Sequence, residues 1–226
     1  MFKRWFVFFS TVVFFVSGLQ ATSKLQDLYN FQKALSVSVS DIGEHLPILC
    51  EIASQCESVI EIGLREMVST YGILQGLSQN HSERKLYIGI DIVAPSKGLA
   101  KIMRQLAREN GIAFRIWQAN DLFIDIPPTE FLFIDSLHTY CHLTYELDRF
   151  SPQVSKYIAM HDTSEPWGDR DDNEYYGNYS EYPPFINREK RGLWPAVEDF
   201  LHNHPEWVLE SRYLNCHGFT ILKRIK

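Results

Sequence analysis

Between residues 58 and 163 the apolar positions switch back and forth between two periods. Residues 58–63 (SVIEIG) form a short β-branched run ending in glycine, and residues 68–77 then carry apolar side chains at helical spacing. The exchange repeats, with 85–92 (KLYIGIDI) as a strand and 97–110 as a helix closed by Gly111. Residues 113–118 make a third strand and 130–135 (EFLFID) a fourth, followed by helical 138–150. A fifth strand, 156–160, ends at His161-Asp162-Thr163. Upstream, 25–35 reads as a short helix and 41–55 as another. Asp41 would be the N-cap of that second helix with Glu44 completing a capping box, or the helix starts later, near Pro47.

Strands alternating with helices predict a parallel sheet covered on both faces. The end of the chain breaks the alternation. Residues 207–213 and 218–224 are strand-like and four residues apart, which is hairpin spacing. The expected fold is therefore α/β, a three-layer sandwich on a mostly parallel seven-stranded sheet that ends in an antiparallel hairpin.

The first 22 residues are a separate object. Lys3 and Arg4 precede an apolar run over 5–16, and small residues surround Ala21. That is the layout of a secretory signal peptide, and an uncleaved membrane anchor is the other reading. The expected organisation is a leader over 1–22 and one domain over 23–226. The domain would be exported or membrane-anchored, or held at the cytoplasmic face of a membrane.

With 226 residues and a formal net charge of -6, the chain has the size of one domain and no Lys/Arg-rich run. Nucleic acid is excluded as the expected partner, because phosphate-backbone binding rests on clustered cations. Cys50, Cys56, Cys141 and Cys216 form no CxxC pair, and they are expected to be structural thiols.

In an open α/β sheet, ligands bind beyond the carboxyl ends of the strands. The polar residues at those ends are Glu61 and Gly63, Asp91, Asn120 and Asp121, Asp135, and His161 with Asp162. Asp91, ending the second strand, could accept hydrogen bonds from both hydroxyls of a ribose, or simply cap the next turn. Asn120 and Asp121 would lie near a nucleobase or form an Asx turn. His142, one turn beyond His138, is expected at the surface.

The segment 61–70 (EIGLREMVST) resembles the first motif of class I S-adenosylmethionine (SAM)-dependent methyltransferases, in the branch related to cephalosporin hydroxylase-like and sugar O-methyltransferases. Residues 133–140 (FIDSLHTY) and 160–163 (MHDT) look like that branch's fourth- and fifth-strand motifs. The stretch 192–200 and the ending 218–223 look like its helix and last strand. The resemblance covers about 41–226 and implies a Rossmann-like fold and a SAM cofactor. It implies Glu61, Gly63, Ser69, Thr70, Asp91, Asn120 and Asp121 as cofactor-binding residues.

It also implies Asp135, His161 and Asp162 as ligands of Mg²⁺ or another divalent metal, with Asp135 and His138 catalytic. His138 would take the acceptor's proton near neutral pH. The sequence departs from the motif at Leu64, Arg65, Glu66 and Met67, where the family carries two further glycines. Ser69 and Thr70 would then offer hydroxyls and N–H groups to the SAM carboxylate.

Segment 165–191 is acidic and contains Trp167, Tyr175, Tyr176, Tyr179 and Tyr182. It is expected to be a lid or substrate loop suited to a sugar, or else a disordered insertion. The leading functional expectation is an O-methyltransferase acting on a glycan or small polar metabolite. A metal-dependent hydroxylase-like enzyme and a catalytically silent binding domain stay open beside it.

Overall fold

The computed structural model describes residues 23–35, 41–172, 180 and 182–226. The leader 1–22 and Tyr175, Tyr176 and Tyr179 lie outside the described residues. Helices α1 (Lys24–Lys33) and α2 (Leu46–Ser54) precede β1 (Ser58–Ile62), α3 (Val68–Gln79), β2 (Lys85–Asp91), α4 (Lys97–Glu109) and β3 (Ile112–Gln118). After β3 come β4 (Thr129–Ile134), α5 (Tyr140–Phe150), β5 (Val154–His161), α6 (Leu193–Asn203), β6 (Trp207–Tyr213) and β7 (Phe219–Arg224). The strand order is β3-β2-β1-β4-β5-β7-β6. All pairs from β3 to β5 are parallel, and β7 pairs antiparallel with both β5 and β6. The seven-stranded, Rossmann-like sheet with its closing hairpin is thus as the apolar rhythm predicts.

The central strands are mostly apolar because both faces are covered, with Glu61 the buried exception in β1. In β1 and β4, Val59, Phe131 and Phe133 pack into the cluster beneath α1, α2, α3 and α4. Their neighbours Ile60, Ile62, Leu132 and Ile134 point the other way, into the cluster beneath α5 and α6. Burying a side chain of this size stabilises the fold by about 1.5–3 kcal/mol, so the two clusters outweigh any single polar contact.

The second helix starts late. Gly43–His45 is a 3₁₀ turn, and α2 begins at Leu46 with Pro47 in its first turn, where a missing N–H costs nothing. Asp41 is no N-cap: its carboxylate pairs with the Arg65 guanidinium at 2.9 Å. The fifth helix starts two residues later than predicted, because the Thr139 hydroxyl caps it by accepting the His142 N–H.

β1 lies between β2 and β4, so the strand order reverses at the β1/β4 boundary. There the carboxyl ends of neighbouring strands part and leave a crevice. Gly63 stands at that point with φ +87°, and a Cβ on it would lie 1.9 Å from the Asp135 carbonyl oxygen. Only glycine fits such an approach.

Candidate active site

The loop after β1 carries side chains at two left-handed positions. Arg65 (φ 39°) and Met67 (φ 56°) both adopt left-handed backbone, a conformation that costs a side-chain-bearing residue about 1–2 kcal/mol. Two features hold it. Leu64 and Met67 are buried in the core, and Asp91 Oδ2 accepts the Leu64 N–H at 2.7 Å and the Arg65 N–H at 3.3 Å. Oδ1 of Asp91 accepts the Val93 N–H at 2.8 Å. Asp91 therefore organises two loops and also lines the cavity described next.

Glu61 is fully buried. It accepts hydrogen bonds from the hydroxyls of Ser69, Thr70 and Tyr87, that from Thr70 at 2.8 Å. Burial outweighs these donors and pushes its pKa up to about 7. Glu61 and Thr70 stand behind the cavity wall, whereas Ser69 and Gly63 form part of it. The hydroxyl of Thr70, expected to reach a cofactor, is instead spent on Glu61.

A cavity of about 560 Å³ opens over the carboxyl ends of β1, β2, β3 and β4. Its lining includes the Gly63 loop with Arg65 and Asp41, Asp91 with Ile92 and Leu122, and Asp121, His142 and Tyr182. Asn120 makes the Asx turn, its Oδ1 accepting the Leu122 N–H at 2.9 Å. Asp121 turns instead to His142, whose Nε2 is 2.7 Å from Asp121 Oδ2.

The surface placement of His142 is corrected: the residue is buried, and its Nδ1 is 2.9 Å from the Tyr182 hydroxyl. Beside it Glu146 is fully buried, bonded through Oε1 to the Ser136 hydroxyl at 2.7 Å. Burial, then the nearby Asp121 charge, raise the Glu146 pKa well above the usual carboxylate range.

Asp135, His138, His161 and Asp162 do come together. His138 Nε2 lies 2.9 Å from Asp162 Oδ2 and 3.6 Å from Asp135 Oδ1. His161 Nδ1 lies 3.2 Å from Asp162 Oδ2 and 3.7 Å from Asp135 Oδ1. Asp135 and His138 face the large cavity, while His161 and Asp162 are buried behind them.

Burial opposes the imidazolium form, yet the two carboxylates outweigh it and lift His138 to about 9 and His161 to about 10. Both carboxylates are held below their ordinary range against burial, Asp135 chiefly by the charge of His161, Asp162 by its hydrogen bonds to His138 and His161. The near-neutral pKa expected of His138 is thus corrected for the cluster as it stands, because two acids rather than one surround the ring.

One candidate ligand atom each from Asp135, His161 and Asp162 lies within 4.8 Å of the others. A void of about 10 Å³, lined by Asp135, His138 and His161, adjoins them. That is room for roughly one water-sized particle.

The described part of segment 165–191 packs onto this site. Trp167 stacks on His138 with ring centroids 5.7 Å apart. The Asp172 N–H donates to the His138 carbonyl at 2.8 Å, and Asp171 Oδ1 accepts the N–H groups of Tyr140 and Gly192. Tyr182 and Ile186 are buried in the core beneath α5 and α6. Cys50, Cys56 and Cys141 are buried free thiols, and Cys216 is a half-buried one.

No protein-family model matches the sequence, and no curated protein does. Solved structures match over most of their length. A protein from Corynebacterium glutamicum superposes with a TM-score of 0.54 at 14% identity, over 92% of this chain and 93% of that one. The Podospora anserina methyltransferase PaMTH1, bound to S-adenosylhomocysteine, superposes at 0.53 and 14% identity, over 89% and 88%. A Klebsiella pneumoniae protein ascribed to the O-methyltransferases superposes at 0.51 and 15% identity, over 92% and 93%. In strand order, closing hairpin and covering helices, the chain has the Rossmann-like fold of these methyltransferases.

Proposed function

We propose that the chain transfers the methyl group of SAM to a hydroxyl oxygen of a glycan or a small polar metabolite. The observation that carries this reading is the lining of one cavity, which brings the Gly63 loop and the β2 carboxylate Asp91 together with Asp135 and His138. A volume of about 560 Å³ is within the roughly 300–1,000 Å³ of ligand pockets. The methyltransferase of the same fold that carries S-adenosylhomocysteine supports the cofactor's identity.

SAM supplies an electrophilic methyl group on a sulfonium. The chain's task is to hold it, exclude water and receive a proton. Asp91 would hold the ribose hydroxyls, and Ile92, Leu122, Asn120 and Asp121, which line the same cavity, would hold the adenine. Gly63 and Ser69 admit the amino-acid portion. His138 would receive the proton of the acceptor hydroxyl as SAM supplies its methyl group to that oxygen. Trp167, stacked on His138, supports a sugar-like acceptor with an apolar face.

The donor set fits a hard divalent cation such as Mg²⁺ or Mn²⁺. Asp135, His161 and Asp162 would hold it, and it would supply Lewis-acid polarisation of the acceptor hydroxyl. With both carboxylates committed to a cation, His138 would be free to stay neutral and act as a base. Residues 1–22 are proposed to direct the domain to a membrane, or across one, where SAM is available.

The test is methyl transfer by the full-length chain from isotopically labelled SAM to a panel of hydroxylated metabolites and oligosaccharides, read by mass spectrometry. Label on an acceptor oxygen is expected. SAM binding without transfer to any hydroxyl would reduce the protein to a binding domain.

A further inference from the structure

The loop between β1 and α3 is where this sequence leaves the glycine-rich pattern, and Arg65 stands among the residues that replace it. Arg65 lines the cavity together with Gly63 and with Val68 and Ser69 of α3. Its guanidinium is held by acids alone: Nη2 contacts the Asp41 carboxylate at 2.9 and 3.2 Å, and Nε contacts Glu66 at 2.8 Å. The Arg65 side chain is 70% exposed. An ion pair this open contributes little to folding, about 0–1 kcal/mol. Yet the residue occupies left-handed backbone that a glycine would adopt without strain.

A second feature of the same corner favours an anion. Helix α3 is capped by Met67, which makes no side-chain hydrogen bond, and its first turn carries no acid. The hydroxyls of Ser69 and Thr70 are turned away to Glu61. The Glu61 carboxylate meets those hydroxyls from the core side, and no side chain caps the N–H groups at the start of α3.

We infer that Arg65 is the specificity-determining residue for the α-carboxylate of the cofactor's amino-acid portion. Arg65 turns its fork from Asp41 to that carboxylate in front of the open end of α3. Asp41 is the stand-in that holds the guanidinium in place at the cavity wall. A planar guanidinium matches a carboxylate with two parallel hydrogen bonds, a geometry lysine does not reproduce. The inference rests on the reading that the cavity takes SAM, and it identifies which chemical group of SAM this chain discriminates.

The test compares SAM with decarboxylated SAM, which keeps the nucleoside, the sulfonium and the amine and lacks only the carboxylate. Both are titrated by calorimetry into the full-length chain and into Arg65→Gln and Arg65→Lys. The wild-type chain should prefer SAM by roughly tenfold or more, the worth of a charge-assisted pair. Arg65→Gln should bring the two ligands to within roughly threefold of each other by weakening SAM alone, and Arg65→Lys should fall between. A merely structural role would weaken both ligands by the same factor, and that result overturns the assignment. Equal affinities in the wild-type chain overturn it as well. If the wild-type chain binds neither ligand, the SAM reading itself fails and the assignment falls with it, a result distinct from the other two.

Discussion

His142 joins two parts of the chain that are far apart in sequence. Its Nε2 is 2.7 Å from Asp121 Oδ2 after β3, and its Nδ1 is 2.9 Å from the hydroxyl of Tyr182 in the acidic segment. One imidazole thus spans the cavity wall and the chain that crosses it. Tyr182→Phe should remove one buried hydrogen bond and lower stability by about 1 kcal/mol. It should also speed tryptic cleavage at Arg188 and Arg191, because the segment loses that tie to α5. His142→Ala should cost more, about 1–3 kcal/mol, by leaving the half-buried Asp121 carboxylate without its donor. Denaturant midpoints and a proteolysis time course measure both. Equal midpoints for wild type and His142→Ala would show that the contact carries no stability.

Asp91 accepts three backbone N–H groups from two loops while facing the cavity. Asp91→Asn loses the charge that serves these donors and one of the two acceptor oxygens. SAM affinity should fall by more than roughly tenfold, about 1.4 kcal/mol. The thermal midpoint of the ligand-free protein should fall too, since the Leu64-Arg65 turn is held by the same carboxylate. A folded variant with unchanged affinity removes Asp91 from the binding site.

Glu61 gives the fold a pH dependence of definite sign. Its folded pKa of about 7 lies above the ordinary 4.5. This contribution to stability is therefore complete below pH 4.5 and is lost as pH rises through 7, up to about 3 kcal/mol by linkage. Buried His45, lowered to about 4 by burial and by the charge of His161, works the opposite way and loses stability as pH falls from 6.5 to 4. The two offset each other in the wild-type chain. Glu61→Gln keeps a neutral polar group and removes one of them. Its urea midpoint, relative to wild type, should climb between pH 5 and 7.5. A constant difference across that range would mean Glu61 does not titrate there.

The sheet was legible because burial on two faces makes its inner strands near-continuous apolar runs, and the 214–217 spacing marks the hairpin. The strand-end acids were legible for the same topological reason. His142 was not, because its burial comes from Tyr182, forty residues away, and helical periodicity reports only that it shares a face with His138. Glu61 was read as a cofactor residue from its motif. The signal that it is spent internally was present in the hydroxyls of Ser69 and Thr70, at helix-start spacing after it, but the third donor, Tyr87, lies on the neighbouring strand and needs the β1–β2 pairing. The departure at Arg65 was visible as a missing glycine, and only the φ angles show that side-chain-bearing residues take left-handed backbone there.

The metal and base assignments stand or fall on one set of variants. Asp162 is buried with left-handed backbone (φ 59°) and accepts from both His138 and His161. Asparagine tolerates that backbone where alanine is strained, so Asp162→Asn is the variant to use. It should lose Mn²⁺ binding, followed by electron paramagnetic resonance, while SAM affinity stays within roughly threefold, because only the cation would lose a ligand. Chelation should abolish methyl transfer, and added Mg²⁺ or Mn²⁺ should restore it. His138→Ala should keep both SAM and Mn²⁺ and slow transfer by roughly 10²–10⁴-fold, the usual worth of a positioned base. The pH profile separates the two roles. With the carboxylates free, His138 holds its proton up to about pH 9, so any residual transfer in chelator should rise towards that pH. With the cation bound the profile should move to lower pH. Full-rate transfer at neutral pH in chelator, unchanged in Asp162→Asn, would remove both the metal and the need for a neutralised cluster, leaving orientation of the acceptor as the source of the rate.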